Sequence, residues 1–243
     1  MLRRQIPNLI TLGNLLCGVL ACVCASNALL PWAALFICLG IFLDFFDGLA
    51  ARLLGVPSPL GKELDSLADV VTSGVAPGII LFFLVGYSYH DSWIEILSYL
   101  AFLMPLFAAY RLAKFNIDTR QSHSFLGLPV PANALIWVGI ALYAVPFDSC
   151  CGHEWMPVTE NHIFLIGLIA GSLITNILMV SEMPMFSLKV NFKDMSWKSN
   201  SVQYLFLIGC VAIVAACRQW YALSLIILWY IILSAITQRR HAE

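Results

Sequence analysis

Asp44-Phe45-Phe46-Asp47-Gly48-Leu49-Ala50-Ala51-Arg52, followed after eight residues by Gly61-Lys62-Glu63-Leu64-Asp65-Ser66-Leu67-Ala68-Asp69, is the stretch that decides how this chain is read. It places four carboxylates in or beside two long apolar runs, residues 31–54 and 64–86. An aspartate at the centre of a bilayer costs roughly 2.5–3.5 kcal/mol on insertion scales, so four without partners would cost about 10 kcal/mol. At about 100° per residue, positions 44, 47, 48 and 51 project from one face of a helix. Positions 61, 65 and 69 do the same if the second helix begins early enough. The link containing Pro57 and Pro59 is short, which makes the two helices antiparallel neighbours and lets the four carboxylates converge at one end.

Converging carboxylates need cations, because unit charges about 4 Å apart repel by about 4 kcal/mol at an effective dielectric of about 20. Hard oxygen ligands with no His or Cys beside them favour Mg²⁺, Mn²⁺ or Ca²⁺, and an all-Asp site for two ions suits the clamping of phosphate oxygens. Gly48 and Gly61 would let a ligand approach the backbone, Ala51 keeps that face low, and Arg52 offers a planar fork for phosphate. A lone Asp near a helix end is more often a cap, and glycines inside a membrane are more often packing sites. The combination of four Asp, two Gly and an Arg on facing surfaces is what points to a metal site and phosphoryl-type transfer.

The surroundings of the stretch are membranous. The chain has 243 residues, of which 60% are hydrophobic and 11% charged, whereas soluble domains carry about 25% charged residues. Apolar runs near the length of a membrane-spanning helix lie at 9–29, 31–54, 64–86, 93–115, 125–146, 162–181, 202–217 and 219–237, the last two being the shortest. The expected architecture is therefore all-α and integral to the membrane, with about eight spans in one domain over 1–243. Of the 13 Lys and Arg, all but Arg218 fall in the termini or in alternate loops on one side. The other side has Asp91, Glu95, Asp148, Glu154 and Glu160. Basic residues in short loops stay cytoplasmic, so both termini and the acidic cluster are expected at the cytoplasmic face of the cell's inner (plasma) membrane. The N-terminus imitates a signal peptide, with Arg3 and Arg4 before an apolar run, but its removal would break this parity. Most of the eight cysteines sit inside apolar helices, where packing is their ordinary role; Cys150 and Cys151 lie in an outward loop. No nucleic-acid partner is expected.

The pattern DxxDGxxAR, eight residues, GxxxDxxxD resembles the signature of the CDP-alcohol phosphatidyltransferases, with Asp44, Asp47, Gly48, Ala51, Arg52, Gly61, Asp65 and Asp69 all in register. The resemblance implies a six-helix core over about 6–190, usually in a homodimer, with two further helices here at about 202–238. It implies two divalent ions, Mg²⁺ or Mn²⁺, among Asp44, Asp47, Asp65 and Asp69. The CDP-lipid headgroup would be held by Gly48, Ala51, Arg52 and Gly61 together with Asp47 and Asp65, and Asp69 would double as general base. Asn8 and Thr11, one turn apart on the first helix, join the nucleotide set by the same resemblance, although an N-terminal cap would also explain them.

Further stretches resemble the membrane-embedded members of the family that use serine. These are residues 6–18, Asp69 to Pro77, Tyr110 to Asn116, Phe125 to Ala132 and Leu178 to Ser181. Lys114 stands where Arg is commoner, and Ser73-Gly74-Val75-Ala76-Pro77 replaces a run of the Phe-Gly-Val-Ala-Pro kind. The implied reaction takes CDP-diacylglycerol and L-serine to phosphatidylserine and CMP. Arg111 and Lys114 would then touch serine or lipid phosphate, or only anchor their helix at headgroup level, and Pro77 and Pro129 would only kink helices. Glycerol 3-phosphate or an inositol phosphate as acceptor is the nearest alternative. An ion-coupled transporter is a remote one, since its acids should be spread through the membrane depth. Between 182 and 201, Met185, Phe186, Leu188, Phe192 and Trp197 alternate with Lys189, Lys193 and Lys198, a pattern suited to an anionic leaflet surface.

Overall fold

Helix length and apolarity set the architecture. The computed structural model describes residues 2–86, 96–118, 125–145, 162–186, 197–217 and 219–242. Among them six helical segments are long and apolar enough to cross a bilayer: Gln5–Ser26, Leu30–Leu53, Pro59–Gly86, Ile96–Ile117, Ile163–Val180 and Asn200–Cys217. Val130–Ala144 and Ala222–Thr237 are shorter apolar helices and bring the number to eight, so the expected all-α membrane architecture holds.

In chain order the elements are α1 (Leu2–Ser26), α2 (Leu30–Leu53), α3 (Pro59–Asp69), a π-helical turn Val70–Val75, α4 (Ala76–Gly86), a 3₁₀ turn Tyr99–Phe102, α5 (Leu103–Ile117), β1 (Phe125–Leu126), α6 (Val130–Ala144), α7 (His162–Val180), β2 (Pro184–Met185), α8 (Trp197–Cys217) and α9 (Ala222–Ala242). β1 and β2 form one antiparallel two-residue bridge. Asp91, Glu95, Arg120, Asp148, Cys150, Cys151, Glu154, Glu160 and Arg218 lie outside the described residues, as do Leu188, Lys189, Phe192 and Lys193 of the basic-aromatic segment. The six described cysteines are all unbridged.

Small residues let the first helices meet closely. Ala21 and Ala25 of α1 and Ala33 and Ala34 of α2 are fully buried, and these two helices form the most extensive pair in the fold. Bilayer lipid is as apolar as Leu, so close backbone approach through small residues is what drives such pairing. Gly18 is the tightest case, since a Cβ there would lie 2.9 Å from the backbone of Thr72. α1 is thereby pressed against the π-helical turn.

That turn is the main irregularity of the third span, which the sequence suggests as one continuous helix. Pro77 cannot donate a backbone hydrogen bond and its ring crowds the preceding turn. The helix accommodates it by widening, and Ala76 N–H bonds back to Val71 O. Widened turns of this kind often stand at functional sites, and this one begins immediately after Asp69.

The fifth span also departs from expectation. Residues 125–129 of the expected run 125–146 are not helical: Phe125 and Leu126 enter the bridge, Gly127 turns at φ +74°, and Pro129 precedes the helix rather than kinking it. The fifth helix is thus short, the eighth (Ala222–Thr237) is short as expected, and Asn200–Cys217 in the seventh place reaches full length. A Cβ at Gly127 would also approach the carbonyls of Ser181 and Leu178 at 2.8 and 3.1 Å. A non-glycine residue at positive φ costs roughly 1–3 kcal/mol, so Gly127→Ala is expected to lower the midpoint of thermal unfolding in detergent. An unchanged midpoint would contradict this reading of the turn.

The C-terminal pair docks by specific polar contacts. Ser224 Oγ of α9 donates to Ile136 O of α6 at 2.6 Å, and Tyr230 OH donates to Phe186 O at 3.1 Å. Phe186, Phe206 and Tyr230 form an aromatic trio with centroids 4.9–5.9 Å apart. α8 packs on α9 and turns Leu205, Leu207, Ile208, Val211 and Val214 outward, as a lipid-facing helix does.

Candidate active site

The carboxylates sit where α2 ends and α3 begins. Ser58 caps α3, its hydroxyl accepting from Gly61 N at 3.0 Å, and Pro59 occupies the first turn, where a missing N–H is harmless. The helix therefore starts before Gly61, and residues 61, 65 and 69 share a face. One ligand oxygen from each of Asp44, Asp47 and Asp65 lies within 4.8 Å of the other two. Asp69 is outside this close set but near enough for its charge to act on Asp44. Asp47 and Asp69 are buried, Asp44 and Asp65 half-buried.

Helix 1 supplies the polar partners. The Thr11 hydroxyl donates to Asp47 Oδ2, with Pro7 O as an alternative acceptor 3.0 Å away. Thr11 is thus a side-chain ligand for a carboxylate and not a helix cap. Asn14 Nδ2 donates to Asp69 Oδ1 at 3.2 Å. Sequence reasoning did not single out Asn14, although Asn8, Thr11 and Asn14 recur every third residue along an otherwise apolar helix, and that stripe was the available signal.

An open cleft lies beside the cluster. It is lined by Asn8, Thr11, Asp47, Gly48, Ala51, Gly61 and Asp65 of the expected set, with Pro7, Val56, Pro57, Ser58 and Lys62 in addition. Gly48 has nothing within 4 Å of where a Cβ would stand, so its backbone is open to the cleft. At Gly61 a Cβ would lie 3.1 Å from Ser58 Oγ and 3.3 Å from Asn8 Oδ1. Arg52 is exposed and is not among the lining residues. Lys62 Nζ donates to Asn116 O at 2.9 Å, and Asn116 Nδ2 donates to Ser66 Oγ at 2.9 Å, which ties α3 to the end of α5.

Arg111 of α5 lies on the other side of Asp69. It is buried, interacts electrostatically with Asp69, stands 5.9 Å from the Phe115 ring centroid, and leaves Nε without a partner. With Lys114, Phe115, Leu126, Met179, Val180 and Ser181 it lines a second, smaller recess. Lys114 reaches Glu182 at 3.5 Å in an exposed pair.

The donor set fits a hard divalent cation. Three carboxylates present oxygens at close quarters, and Asp65 Oδ1 is buried with no hydrogen-bond partner, as expected of an atom reserved for a ligand. Asp44, Asp47 and Asp65 could hold a metal ion.

Residues 4–173 match the CDP-alcohol phosphatidyltransferase family, which is 70% of the chain and includes every residue of the cluster and cleft. The chain is a CDP-alcohol phosphatidyltransferase. Similar relatives agree on one subgroup of such phosphatidyltransferases. A CDP-diacylglycerol–serine O-phosphatidyltransferase of Bacillus subtilis is 44% identical over 158 residues, covering 64% of this chain and 87% of that one. The enzyme of the same name from Helicobacter pylori is 33% identical over 193 residues, covering 79% and 74%. The one from Methanocaldococcus jannaschii is 39% identical over 134 residues, covering 55% and 59%. α8 and α9 lie beyond the residues that match the phosphatidyltransferase family.

Proposed function

We propose that this chain transfers the phosphatidyl group of CDP-diacylglycerol to L-serine, forming phosphatidylserine and releasing CMP. The observation behind this reading is the cleft itself: its open glycine backbone meets Asp47 and Asp65, which cluster with Asp44, and a fourth carboxylate, Asp69, is buried and held by Asn14. Gly48, Ala51 and Gly61 leave room for the cytidine diphosphate group, with Asn8 and Thr11 at its edge. Arg52, exposed and outside the lining, reaches in when the anion arrives.

Asp44, Asp47 and Asp65 would hold Mg²⁺ or Mn²⁺, with Asp69 completing the set for a second ion, and the metal supplies neutralisation of the pyrophosphate and of the departing CMP oxygen. Asp69 accepts the proton of the serine hydroxyl. The serine oxygen forms its bond to the lipid-side phosphorus as the bond from that phosphorus to the CMP oxygen breaks. A carboxylate within hydrogen-bond reach is what turns a poor nucleophile into an effective one. Arg111, buried beyond Asp69 with Nε unpartnered, receives the serine carboxylate.

The basic bias of the termini and alternate loops supports a cytoplasmic active site, to which water-soluble serine and CMP have direct access. Homodimerisation rests on the family resemblance. The test of the acceptor is direct: protein purified in detergent with CDP-diacylglycerol and Mn²⁺ is offered serine, glycerol 3-phosphate or inositol phosphate separately, and CMP is measured. Release should depend on serine. Release that ignores serine, or that follows a phosphorylated alcohol instead, would sink the assignment.

A further inference from the structure

We propose that Asn14 is a positioning residue for Asp69, occupying Oδ1 of the carboxylate so that Oδ2 is the oxygen presented to the acceptor hydroxyl. This deepens the reading of Asp69 as general base and rests on it.

Asn14 is fully buried, and two contacts join it to the third span. Its side chain donates to Asp69 Oδ1 at 3.2 Å, and its main-chain carbonyl accepts from Thr72 Oγ1 at 3.0 Å. Asn14 thereby grips the carboxylate and also the widened turn that follows it. The slot around it is tight. A Cβ on Gly40 would stand 2.8 Å from Asn14 Oδ1, and one on Gly18 would stand 2.9 Å from the Thr72 backbone. Gly40 thus leaves space for this amide and little more, and Gly18 does the same for Thr72, which Asn14 also holds.

The amide's other end argues that packing alone does not explain the residue. Asn14 Oδ1 is buried with no hydrogen-bond partner. An unsatisfied buried oxygen is costly, and an apolar side chain of similar shape would avoid that cost. Turning the amide over would set its oxygen against the Asp69 carboxylate, so the observed orientation is the one electrostatics selects. What the polar residue gains is control of Asp69. The terminal torsion of an aspartate is broad, and a free carboxylate beside the close set of Asp44, Asp47 and Asp65 has two uses open to it, as a further metal ligand or as a base. Fixing Oδ1 settles which oxygen faces the acceptor, and small misplacements of a reacting group are expensive in rate.

The test uses Asn14→Leu, which fills the slot without a donor, and Asn14→Asp, which keeps the shape but sets an acceptor against an acceptor. Turnover, KM for CDP-diacylglycerol and the shift in thermal midpoint on adding CDP with Mn²⁺ are measured for each, with Asp69→Asn in parallel. The expected result is a fall in kcat of about 10–100-fold, with KM for CDP-diacylglycerol and the CDP–Mn²⁺ shift retained. Wild-type kcat in both Asn14 variants, or loss of the shift in step with kcat, would overturn the proposal. Failure of both variants to fold would do so too, by making the residue structural. If Asp69→Asn turns over normally, the base assignment falls and the proposal with it. If Asp69→Asn is inactive while Asn14→Leu works at the wild-type rate, only the positioning role is lost.

Discussion

Asp69→Asn is expected to fold, to keep its stabilisation by CDP with Mn²⁺, and to release CMP at least about 100-fold more slowly than wild type, the lower end of what a positioned general base contributes. The substitution is nearly isosteric at a buried position, and the amide's oxygen still accepts from Asn14 Nδ2, so the packing around the π-helical turn has no reason to change. Binding should survive because the close carboxylate set Asp44, Asp47 and Asp65 is untouched, and the amide keeps an oxygen that can still complete the set for a second ion. Turnover should not survive, because an amide has no basic oxygen with which to accept the hydroxyl proton. Measuring CMP release beside the CDP–Mn²⁺ thermal shift separates the two effects. Equal rates for variant and wild type would remove Asp69 as base, and a lost shift with lost rate would make it principally a metal ligand.

The sequence shows the carboxylates and their spacing because both rest on strong, local physics. Charge inside an apolar run is conspicuous through its desolvation cost, and helical periodicity places positions 44, 47 and 48, like 61, 65 and 69, on common faces without knowledge of anything else. The cleft residues Gly48, Ala51 and Gly61 lie in the same motif, whereas Asn8 and Thr11 come only from the resemblance to the family. Contacts made across the fold do not follow. Asn14 meets Asp69 from 55 residues away, and no local propensity encodes that meeting. The widened turn at Val70–Val75 is fixed jointly by Pro77 and by Thr72 anchoring to Asn14, one of which is local and the other not.

Two other departures have similar causes. An apolar run over 125–146 satisfies any hydropathy criterion, yet its first residues are drawn into the bridge with Pro184–Met185, and Gly127 and Pro129 delay the helix to Val130. Arg52 has the right helical phase for the cleft, but phase gives the direction of Cβ and not the end of a long flexible side chain, which here stays exposed.

Asp44→Asn is expected to make the metal-free protein more stable and the enzyme inactive. The three close carboxylates lie within 4.8 Å, at which distance two unit charges repel by roughly 3 kcal/mol at an effective dielectric of about 20. Asp44 is also the one on which the charges of Asp69, Asp65 and Asp47 all act. Without a cation that repulsion opposes folding, and replacing Asp44 by its neutral isostere relieves it. With Mn²⁺ the sign reverses, since the wild type gains a ligand set that the variant has lost. In detergent with EDTA the thermal midpoint of Asp44→Asn should therefore exceed that of wild type, and adding CDP with Mn²⁺ should raise the wild type but not the variant. CMP release should fall by at least about 100-fold, the scale on which removing one preorganised electrostatic group acts. The crossing of the two stability series is the decisive part, because a residue that merely packed would lower the midpoint in both conditions. A variant that Mn²⁺ stabilises as strongly as wild type would show that Asp44 is not a ligand, and would leave Asp47 and Asp65, with Asp69 brought in, as the carboxylates holding the ion.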